Sequence, residues 1–366
     1  TTAAAAAAAT MSPSPGKKEG KKRWRAVGVV ARVVASRRNA TRLLLCEEGE
    51  AEAEGEDEAE EEVEVDVEVE AKVVVAACGA LWTPPLLRRS GLRNKHIGRH
   101  LRLHPVMFSW GYFPDAPHGM TSYRGAIMSC VSRVAANWGA SGYGALLMVP
   151  ALHPGAFAAV SPWRSGRDSK DAMLRFSKTA YLIAITRDSG EGGRVWEEEE
   201  EEDKKKKGGG DLHISYKVSA ADREHMLTAT SYGLRILAAA GAARIGTANL
   251  DGASLHLGGE AEEEAEKREE RVREFVKSHV GQSSIGGGGG GPNETLLASA
   301  HQMGSCRMGR RPASSAVDPS GETWEANGLF VADTSVFPTA SGVNPMVTVQ
   351  SIALCISQSI LHFLQP

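Results

Sequence analysis

The chain has 366 residues, of which 42% are hydrophobic, so it is long enough to form two domains with a sizeable core. Its net charge of −3 hides a strong segregation, because residues 47–70 carry 15 of the 45 acidic side chains and leave the remainder net basic, 42 against 30. No nucleic-acid-binding motif accompanies this basic excess, which argues against a nucleic-acid partner and indicates solvated surface.

Cysteine spacing and hydropathy bear on the redox compartment, on metal binding and on membrane insertion. The five cysteines show neither paired spacing nor metal-ligand spacing, which favours a reducing compartment and no metal site. No run of 18 uninterrupted apolar residues occurs, so we expect no transmembrane segment in this chain. The first residue is threonine, and the alanine tract after it lacks the charged front of a signal peptide. We therefore expect a fragment whose residues 1–22 are disordered.

The chain is predicted to open with strands around an acidic insertion. Residues 24–34 have the composition of a strand, with residues 41–46 as a candidate partner. The acidic run 47–62 is interpreted as a solvated insertion, which a surface loop tolerates because the entropy of loop closure grows slowly with length. Residues 63–69 alternate valine with glutamate or aspartate, which is the pattern of a half-exposed strand.

A buried strand and a helix are predicted next. Residues 73–77 are continuously apolar, which is typical of a strand buried on both faces. Gly79 and Ala80 then permit a close approach of the backbone to a ligand. Thr83 followed by Pro84 is a cap and first-turn signal for a helix. Strand, glycine turn and helix together make half of a dinucleotide-binding crossover.

The middle of the chain has the pattern of an α+β domain with an antiparallel sheet. Ser219 and Gly241 are predicted to bound an amphipathic helix over residues 221–240. Charged or glycine-rich inserts are predicted at 188–211 and 259–291, and the strands on either side of the first insert are expected to pair as a hairpin. The predicted strands cover residues 106–112, 145–149, 182–187 and 213–218.

The most unusual segment covers residues 301–351. It begins HQMGSCRMG and continues to a short apolar strand at 328–332, after which comes Asp333. Asn344 then precedes an apolar helix predicted over 346–364. A polar residue at a strand end, close to a helix N-terminus, suits an anionic or electron-rich cofactor because the first N–H groups of a helix are free to donate.

These motifs resemble those of a known family. HQMGSCRMG, WEANGLFVADTSVFP, SGVNPMVTVQS and CGALWTPPLLRRSGL are similar to signatures of the glucose-methanol-choline (GMC) flavin oxidoreductases, and within that family to long-chain fatty alcohol oxidases. Arg93 departs from the pattern, since the family usually has glycine there. The resemblance covers the chain outside its N-terminus and charged inserts.

The fold that this resemblance implies is an incomplete α/β FAD-binding domain, Rossmann-like as in the GMC fold, joined to an α+β substrate domain with an antiparallel sheet. Residues 23–105 would form the middle of the FAD-binding domain, 106–300 the substrate-binding domain and 301–366 the end of the FAD-binding domain. An intact member begins with a strand, a GxGxxG turn and a helix. The glycines at 286–291 follow no predicted strand, so we expect the C-terminal part of a longer protein.

The resemblance also implies the site residues. His301 maps onto a histidine that faces the flavin, and we assign it as the base for the hydroxyl proton. Asn344 maps onto the polar residue before the final helix and would donate a hydrogen bond to the substrate oxygen. Asp333 maps onto the aspartate that binds the flavin chain near its pyrophosphate, whereas His104 is left open between a structural role and a place in the site. The other cofactor-binding positions are Gly79, Ala80, Thr83, Thr334, Pro345 and Met346, and Asn344 is counted among them too.

The implied activity is FAD-dependent oxidation of long-chain primary alcohols to aldehydes, with O2 reduced to hydrogen peroxide. A flavin is required because protein side chains supply no hydride acceptor. The alternatives are a GMC dehydrogenase with another electron acceptor, a GMC lyase, and a non-catalytic fragment unable to hold FAD. The resemblance further implies membrane association, through an N-terminal part of the protein that we expect to be missing from this chain.

Overall fold

The structure is a computed structural model, and its strands and helices are numbered here in chain order. It describes residues 7–13, 24–36, 62–116, 119–120, 128, 130–198, 210–257, 265–280, 284–285 and 294–365. The strands are β1 (Ala7–Pro13), β2 (Trp24–Ser36), β3 (Glu62–Glu70), β4 (Val74–Ala76), β5 (Arg99–Leu101), β6 (Val106–Tyr112), β7 (Val131–Ser132), β8 (Ala145–Met148), β9 (Thr179–Thr186), β10 (Gly193–Glu197), β11 (Leu212–Ser215), β12 (Arg244–Thr247), β13 (Ser254–His256), β14 (Ser284–Ile285), β15 (Glu294–Thr295), β16 (Ala326–Asn327) and β17 (Leu329–Val331). The α-helices are α1 (Gly79–Arg89), α2 (Pro154–Val160), α3 (Gly166–Leu174), α4 (Ala220–Ala239), α5 (Ala265–Phe275) and α6 (Met346–Leu364), with shorter helical turns at Phe176–Lys178, Val276–Val280 and Thr334–Val336.

The first sheet is built around β2, which pairs antiparallel with β1 and β3 and parallel with β16. The predicted strands at 24–34 and 63–69 are confirmed, and they pair with each other; the candidate partner at 41–46 lies outside the described residues, as does most of the acidic run. Part of the segment expected to be disordered is instead strand β1. Strand β1 is stabilised by pairing with the edge of β2 and by the burial of Ala9. The Ala9 nitrogen donates to the Ser90 hydroxyl at 2.7 Å.

Strand β4 and helix α1 differ from the sequence expectation in two respects. Val75 is exposed whereas Val74 and Ala76 are buried, so the strand is buried on one face only. Helix α1 begins at Gly79 and not at Thr83, which places Pro84 in its interior. A proline there cannot bond to the Ala80 carbonyl four residues earlier, and the Ser305 hydroxyl donates to that carbonyl instead, at 2.6 Å.

The second part of the fold is a six-stranded antiparallel sheet in the order β13-β12-β6-β9-β8-β7. Helix α4 packs on one face of it, where Leu234 joins an apolar cluster with Leu182 and Ile245. On the other face Phe157 of α2 packs with Tyr181. The strand predictions within this sheet are confirmed, and so is helix α4 with its Ser219 cap and a left-handed Gly241. The antiparallel pairing of all six strands is that of the α+β class.

The predicted hairpin between 182–187 and 213–218 is wrong. Strand β11 pairs with β10, which pairs in turn with β5, in a separate three-stranded sheet. Strand β10 lies inside the segment expected to be a charged insert. Its inward-facing Val195 is buried, but the run of glutamates after it conceals the alternation in the sequence. The insert at 259–291 does contain a helix, α5.

The core beneath the candidate site joins distant parts of the chain. Residues of α1, β4 and β17 pack in one cluster with residues of the 301–309 loop and of α6. Its largest fully buried side chains include Leu87, Leu329, Phe330 and Phe337. The sheet of β6 and its neighbours has clusters of its own. The limits 23–105, 106–300 and 301–366 remain predictions for the domains.

Helix α6 occupies the predicted residues and is a candidate membrane span by length and composition, whereas the sequence analysis expected no transmembrane segment. It has 19 residues and is long and apolar enough to cross a membrane, and it is the one such helix in the described part of the chain. The uninterrupted-run criterion missed it because Thr348 and Gln350 interrupt the apolar run without adding charge. Ile356 is buried against the core, whereas Leu354 and Leu361 are exposed. Helices that pack on further protein share this composition, so membrane contact stays a proposal.

Candidate active site

Strands β4 and β17 are parallel neighbours, and their carboxyl ends form the first part of the candidate site. Asp333 follows β17, and its carboxylate accepts from the Gly79 nitrogen at 2.9 Å, the Thr83 hydroxyl at 2.5 Å and the Ser335 nitrogen at 2.7 Å. The carboxylate thereby joins the start of α1 to the end of β17. Ligands of open α/β sheets bind at this edge, so three predicted residues meet where a cofactor is expected.

Gly79 presents open backbone at this edge. Its φ is +76°, and no heavy atom of the described residues lies within 4 Å of the place that a Cβ would take. Ala80 is buried, and its carbonyl already accepts from the Ser305 hydroxyl. The space beside Gly79 fits a ligand that approaches the main chain closely.

The HQMGSCRMG loop, residues 301–309, is held against the turn Thr334–Val336 by three backbone hydrogen bonds. The nitrogens of Gly304, Cys306 and Met308 donate to successive carbonyls of that turn, at 3.0, 2.8 and 2.8 Å. Thr334 is thus bound through its carbonyl oxygen. Gly304 is required, because its φ is +81° and a Cβ would lie 2.8 Å from the His100 carbonyl oxygen. This ladder positions the loop that carries His301.

A pair of histidines forms the second part of the site. The Nδ1 atoms of His104 and His301 are 3.1 Å apart, and the rings meet edge to face. The Gly342 nitrogen donates to Nε2 of His104 at 3.0 Å. His104 is fully buried and has a φ of +47°, in the left-handed region that residues other than glycine rarely adopt. Of the two readings left open for His104, the geometry favours a place in the site.

Both histidines are neutral at pH 7. Burial, with smaller contributions from His301 and Arg187, lowers the pKa of His104 to about 3. Burial also lowers the pKa of His301 below its usual value of 6.5. A neutral imidazole has one N–H donor and one lone pair, so each ring can donate at one nitrogen and accept at the other.

Asn344 lies next to Pro345 at the start of α6. Its Nδ2 is 3.2 Å from the Met128 sulfur, a weak acceptor. Its Oδ1 is buried and has no hydrogen-bond partner among the described residues. Pro345 is buried at the N-cap of the helix, and Met346 is exposed. The carboxamide is therefore poorly satisfied within the chain, which is the condition of a group that awaits a ligand.

One hydrogen-bonded path leads from His301 to His104 and on to Gly342, which lies two residues before Asn344. The sequence analysis identified His301 and Asn344, left His104 open and missed Gly342. A usable signal was the Ser-Gly pair before Asn344, because a glycine there allows the left-handed φ of +74° that the turn adopts.

These residues fit the flavin that the sequence resemblance implies. The buried Oδ1 of Asn344 lacks a partner in the described chain, the backbone at Gly79 faces open space, and the first N–H groups of α6 have no acceptor within the helix. Each can take up a polar or electron-rich group from outside the chain. The fold and the site thus define a cofactor-binding protein of combined α/β and α+β architecture.

Sequence comparison gives the family. Two profiles described as GMC oxidoreductase match residues 11–106 and 200–353, and the chain belongs to the GMC oxidoreductase family. Members of this family are flavoproteins that bind FAD, which confirms FAD as the expected cofactor. The N-terminal profile ends where β6 begins, and the C-terminal one includes His301, Asp333 and Asn344.

Three relatives from Arabidopsis thaliana are long-chain-alcohol oxidases. FAO4A is 45% identical over 80% of this chain and 38% of its own length, and FAO4B is 40% identical over 80% and 36%. FAO3 is 43% identical over 79% of this chain and 36% of its own length. The chain therefore spans between 36% and 38% of the curated relatives it matches here.

Two solved structures confirm the fold class. Pyridoxine 4-oxidase from Mesorbium loti aligns with a TM-score of 0.53 and 17% identity, over 81% of this chain and 53% of that one. A formate oxidase aligns with a TM-score of 0.50 and 14% identity, over 81% of this chain and 56% of that one. At these identities the likeness concerns the fold alone.

Proposed function

We propose that the full-length protein oxidises long-chain primary alcohols to aldehydes and reduces O2 to hydrogen peroxide. The observation that carries this proposal is the 45% identity to a long-chain-alcohol oxidase over 80% of the chain. FAD, when bound, accepts the hydride from the alcohol carbon and passes electrons to oxygen. The chain's own residues bind the alcohol, orient it and handle its proton.

His301 is the proposed base for the hydroxyl proton. A base must be unprotonated before the reaction, and burial lowers the pKa of His301, which favours its neutral form at pH 7. Its ring is half-buried and is held by the 301–309 loop on one side and by His104 on the other. These constraints would keep the imidazole in one orientation toward a bound alcohol.

Asn344 is the proposed donor to the alcohol oxygen. Its Nδ2 contacts a thioether sulfur, which is a weak acceptor that a hydroxyl oxygen can replace at little cost. The orphaned Oδ1 can meanwhile accept from a donor on the ligand. Pro345 and Met346, beside it at the start of α6, are proposed to lie next to the flavin ring.

The cofactor chain is proposed to bind at the carboxyl ends of β4 and β17. A carboxylate offers about four lone-pair sites, and Asp333 uses three of them toward Gly79, Thr83 and Ser335. One remains for a hydroxyl of the cofactor. Thr334 follows directly and completes this group of proposed contacts.

The apolar face of the six-stranded sheet supports a long alkyl chain as substrate. Met128, which contacts Asn344, packs against the cluster that includes Phe108, Phe157 and Tyr181. An alcohol whose oxygen bonds to Asn344 would therefore have Met128 next to its carbon chain, with the buried aromatic cluster behind Met128. Burial of each methylene group would contribute about 0.8 kcal/mol to binding.

Turnover assays on the full-length, FAD-loaded protein test the proposal. Oxygen uptake and peroxide yield should match aldehyde formation and should rise with alcohol chain length from short to long substrates. Dye reduction without peroxide would identify a dehydrogenase. Flavin absorbance without any redox turnover would identify a lyase, and absence of bound flavin would leave a non-catalytic protein.

Membrane association is proposed for helix α6 on the basis of its length, apolar composition and exposed side chains. Flotation of the full-length protein with phospholipid vesicles measures it. Replacement of exposed Leu354 and Leu361 by lysine should then reduce the floating fraction. An unchanged fraction would exclude α6 as the attachment point.

A further inference from the structure

We propose that His104 is a positioning residue that sets the tautomer of His301 and thereby decides when His301 can accept a proton. The proposal rests on two hydrogen bonds at opposite ends of the His104 ring, one to His301 and one from Gly342. It deepens the proposed function, because it concerns the group assigned there as the base. Its readout is the proton position on each ring, which is measured without turnover.

The argument starts at Gly342. A backbone N–H can only donate, so the His104 Nε2 that lies 3.0 Å from the Gly342 nitrogen must carry its lone pair. His104 is neutral, since its burial strongly disfavours the charged ring. A neutral imidazole that accepts at Nε2 holds its one proton at Nδ1. His104 is thus in the Nδ1–H form.

The second step fixes His301. Nδ1 of His104 lies 3.1 Å from Nδ1 of His301, so the His104 proton is donated along this line and His301 must accept it. A neutral His301 that accepts at Nδ1 carries its proton at Nε2. In this arrangement His301 presents an N–H donor, and not a lone pair, at Nε2, the ring nitrogen that does not contact His104.

The third step concerns proton uptake. Placing a proton on Nδ1 of His301 would set two N–H groups against each other at 3.1 Å. His301 therefore becomes a base at Nε2 only after both rings change tautomer. The His104 proton is then at Nε2, the His301 proton is at Nδ1, and each ring still holds one proton. A proton on Nε2 of His104 is incompatible with the Gly342 hydrogen bond, so that bond must open.

The surroundings hold both partners in place. The nitrogens of Leu103 and His104 donate to the buried Asp188 carboxyl at 3.0 and 3.2 Å, and the Tyr216 hydroxyl donates to the same group at 2.9 Å. Arg187 donates from Nε to the Ala340 carbonyl at 3.0 Å, just before the turn with Gly342.

A Cβ at Gly342 would meet Arg187 at 2.8 Å, so the turn fits closely around this arginine. The charged or titratable groups that act on the dyad are thus Arg187, which disfavours a positive charge on His104, and Asp188, which anchors the His104 backbone. The ring nitrogens of His104 contact Gly342 and His301, and not Arg187 or Asp188. The turn that contains Gly342 and leads to Asn344 therefore controls whether His301 can act as a base.

Nitrogen-15 NMR of the full-length protein labelled at histidine tests the proposal, with and without FAD. The expected spectrum has His104 protonated at Nδ1 and His301 protonated at Nε2, with each signal assigned by its loss in the His104→Asn or His301→Asn variant. A proton at Nε2 of His104, or at Nδ1 of His301, in the wild-type resting state would overturn the proposal. This measurement needs no variant to be active.

The pH titration of His301 gives a second readout. In His104→Asn the carboxamide can rotate and accept from Nδ1 of His301, so the protonation midpoint of His301 should rise by about one pH unit, the equivalent of one ordinary hydrogen bond. The His213→Asn change, at a half-buried histidine on β11, is the matched control and should leave the midpoint unchanged. An unchanged midpoint in His104→Asn would refute the positioning role, whether or not the protein oxidises alcohols.

Discussion

The carboxylate of Asp333 accepts a hydrogen bond from the backbone nitrogen of Gly79 at 2.9 Å, across 254 positions of the chain. This bond closes the end of one parallel strand over the end of the other. It also positions Gly79 in a left-handed conformation with open space beside it. A single carboxylate therefore organises the edge at which we expect the cofactor, and it is the first group to test.

Replacement of Asp333 by asparagine should lower the fraction of protein that carries FAD more than it lowers the fraction that is folded. An amide can accept at one atom only and adds N–H donors that face the donors of Gly79 and Thr83, so we expect a loss of about 1–3 kcal/mol in unfolding free energy. Urea unfolding and flavin absorbance measure the two effects. Asp318→Asn is the control, because Asp318 also binds turn nitrogens, those of Ser320 and Glu322. Equal flavin content in the two variants would contradict a cofactor role for Asp333.

Alanine at Gly79 should weaken FAD binding because a methyl group would occupy the open space next to the backbone. The left-handed φ by itself costs about 1 kcal/mol in unfolding free energy. Gly91→Ala isolates that cost, since Gly91 has a φ of +85° and likewise nothing within 4 Å of a Cβ. Both variants should unfold with similar loss, whereas FAD titration should show weaker binding for Gly79→Ala alone. Identical FAD affinities would place the cofactor elsewhere.

Replacement of His301 by alanine should lower turnover of a long-chain alcohol by about 10²–10⁴-fold in the FAD-loaded, full-length protein. The reason is the loss of the group proposed to take the hydroxyl proton. Stopped-flow flavin reduction under anaerobic conditions measures the step directly. His213→Ala, at a half-buried position on strand β11, should react like the wild type. Wild-type rates in His301→Ala would remove His301 from the mechanism.

The buried His104 should make folding sensitive to acid. Its pKa falls from 6.5 to about 3 on folding, so between these values the unfolded chain binds a proton that the folded chain does not. This contribution is favourable above pH 6.5 and is lost as the pH falls toward 3, at about 1.4 kcal/mol per pH unit. Urea unfolding between pH 7 and pH 4 should show a flatter dependence for His104→Asn. Parallel curves would mean that His104 titrates normally.

Helix α6 should show opposite effects on its two faces. Ile356 is buried against the core, so Ile356→Ala should lower the unfolding free energy by about 2–5 kcal/mol. Leu354 is exposed, so Leu354→Ala should change it by less than about 0.5 kcal/mol. Unfolding of the 366-residue chain measures both. If Leu354→Ala is costly only in the full-length protein, the outer face of α6 is covered there by further protein and not by lipid.

Local patterns in the sequence were enough for many of the elements. The valine alternation at 63–69 predicted β3, and Ser219 with Gly241 predicted both ends of α4. The limits of α6 were predicted to the residue, Met346–Leu364. Such signals succeed because apolar periodicity and helix caps depend on neighbours within a few residues. The family motifs around His301 and Asn344 were equally visible.

Strand pairing and the geometry of the site were decided by the tertiary structure. Three features depend on contacts between residues that the local sequence pattern does not connect. They are the pairing of β11 with β10, the formation of strand β1 and the start of α1 at Gly79. The same holds for the link from His301 through His104 to Gly342. Sequence motifs identified the residue types that the chemistry needs. Only the folded chain, by bringing positions some 200 residues apart within hydrogen-bond reach, determines which nitrogen of each ring carries the proton.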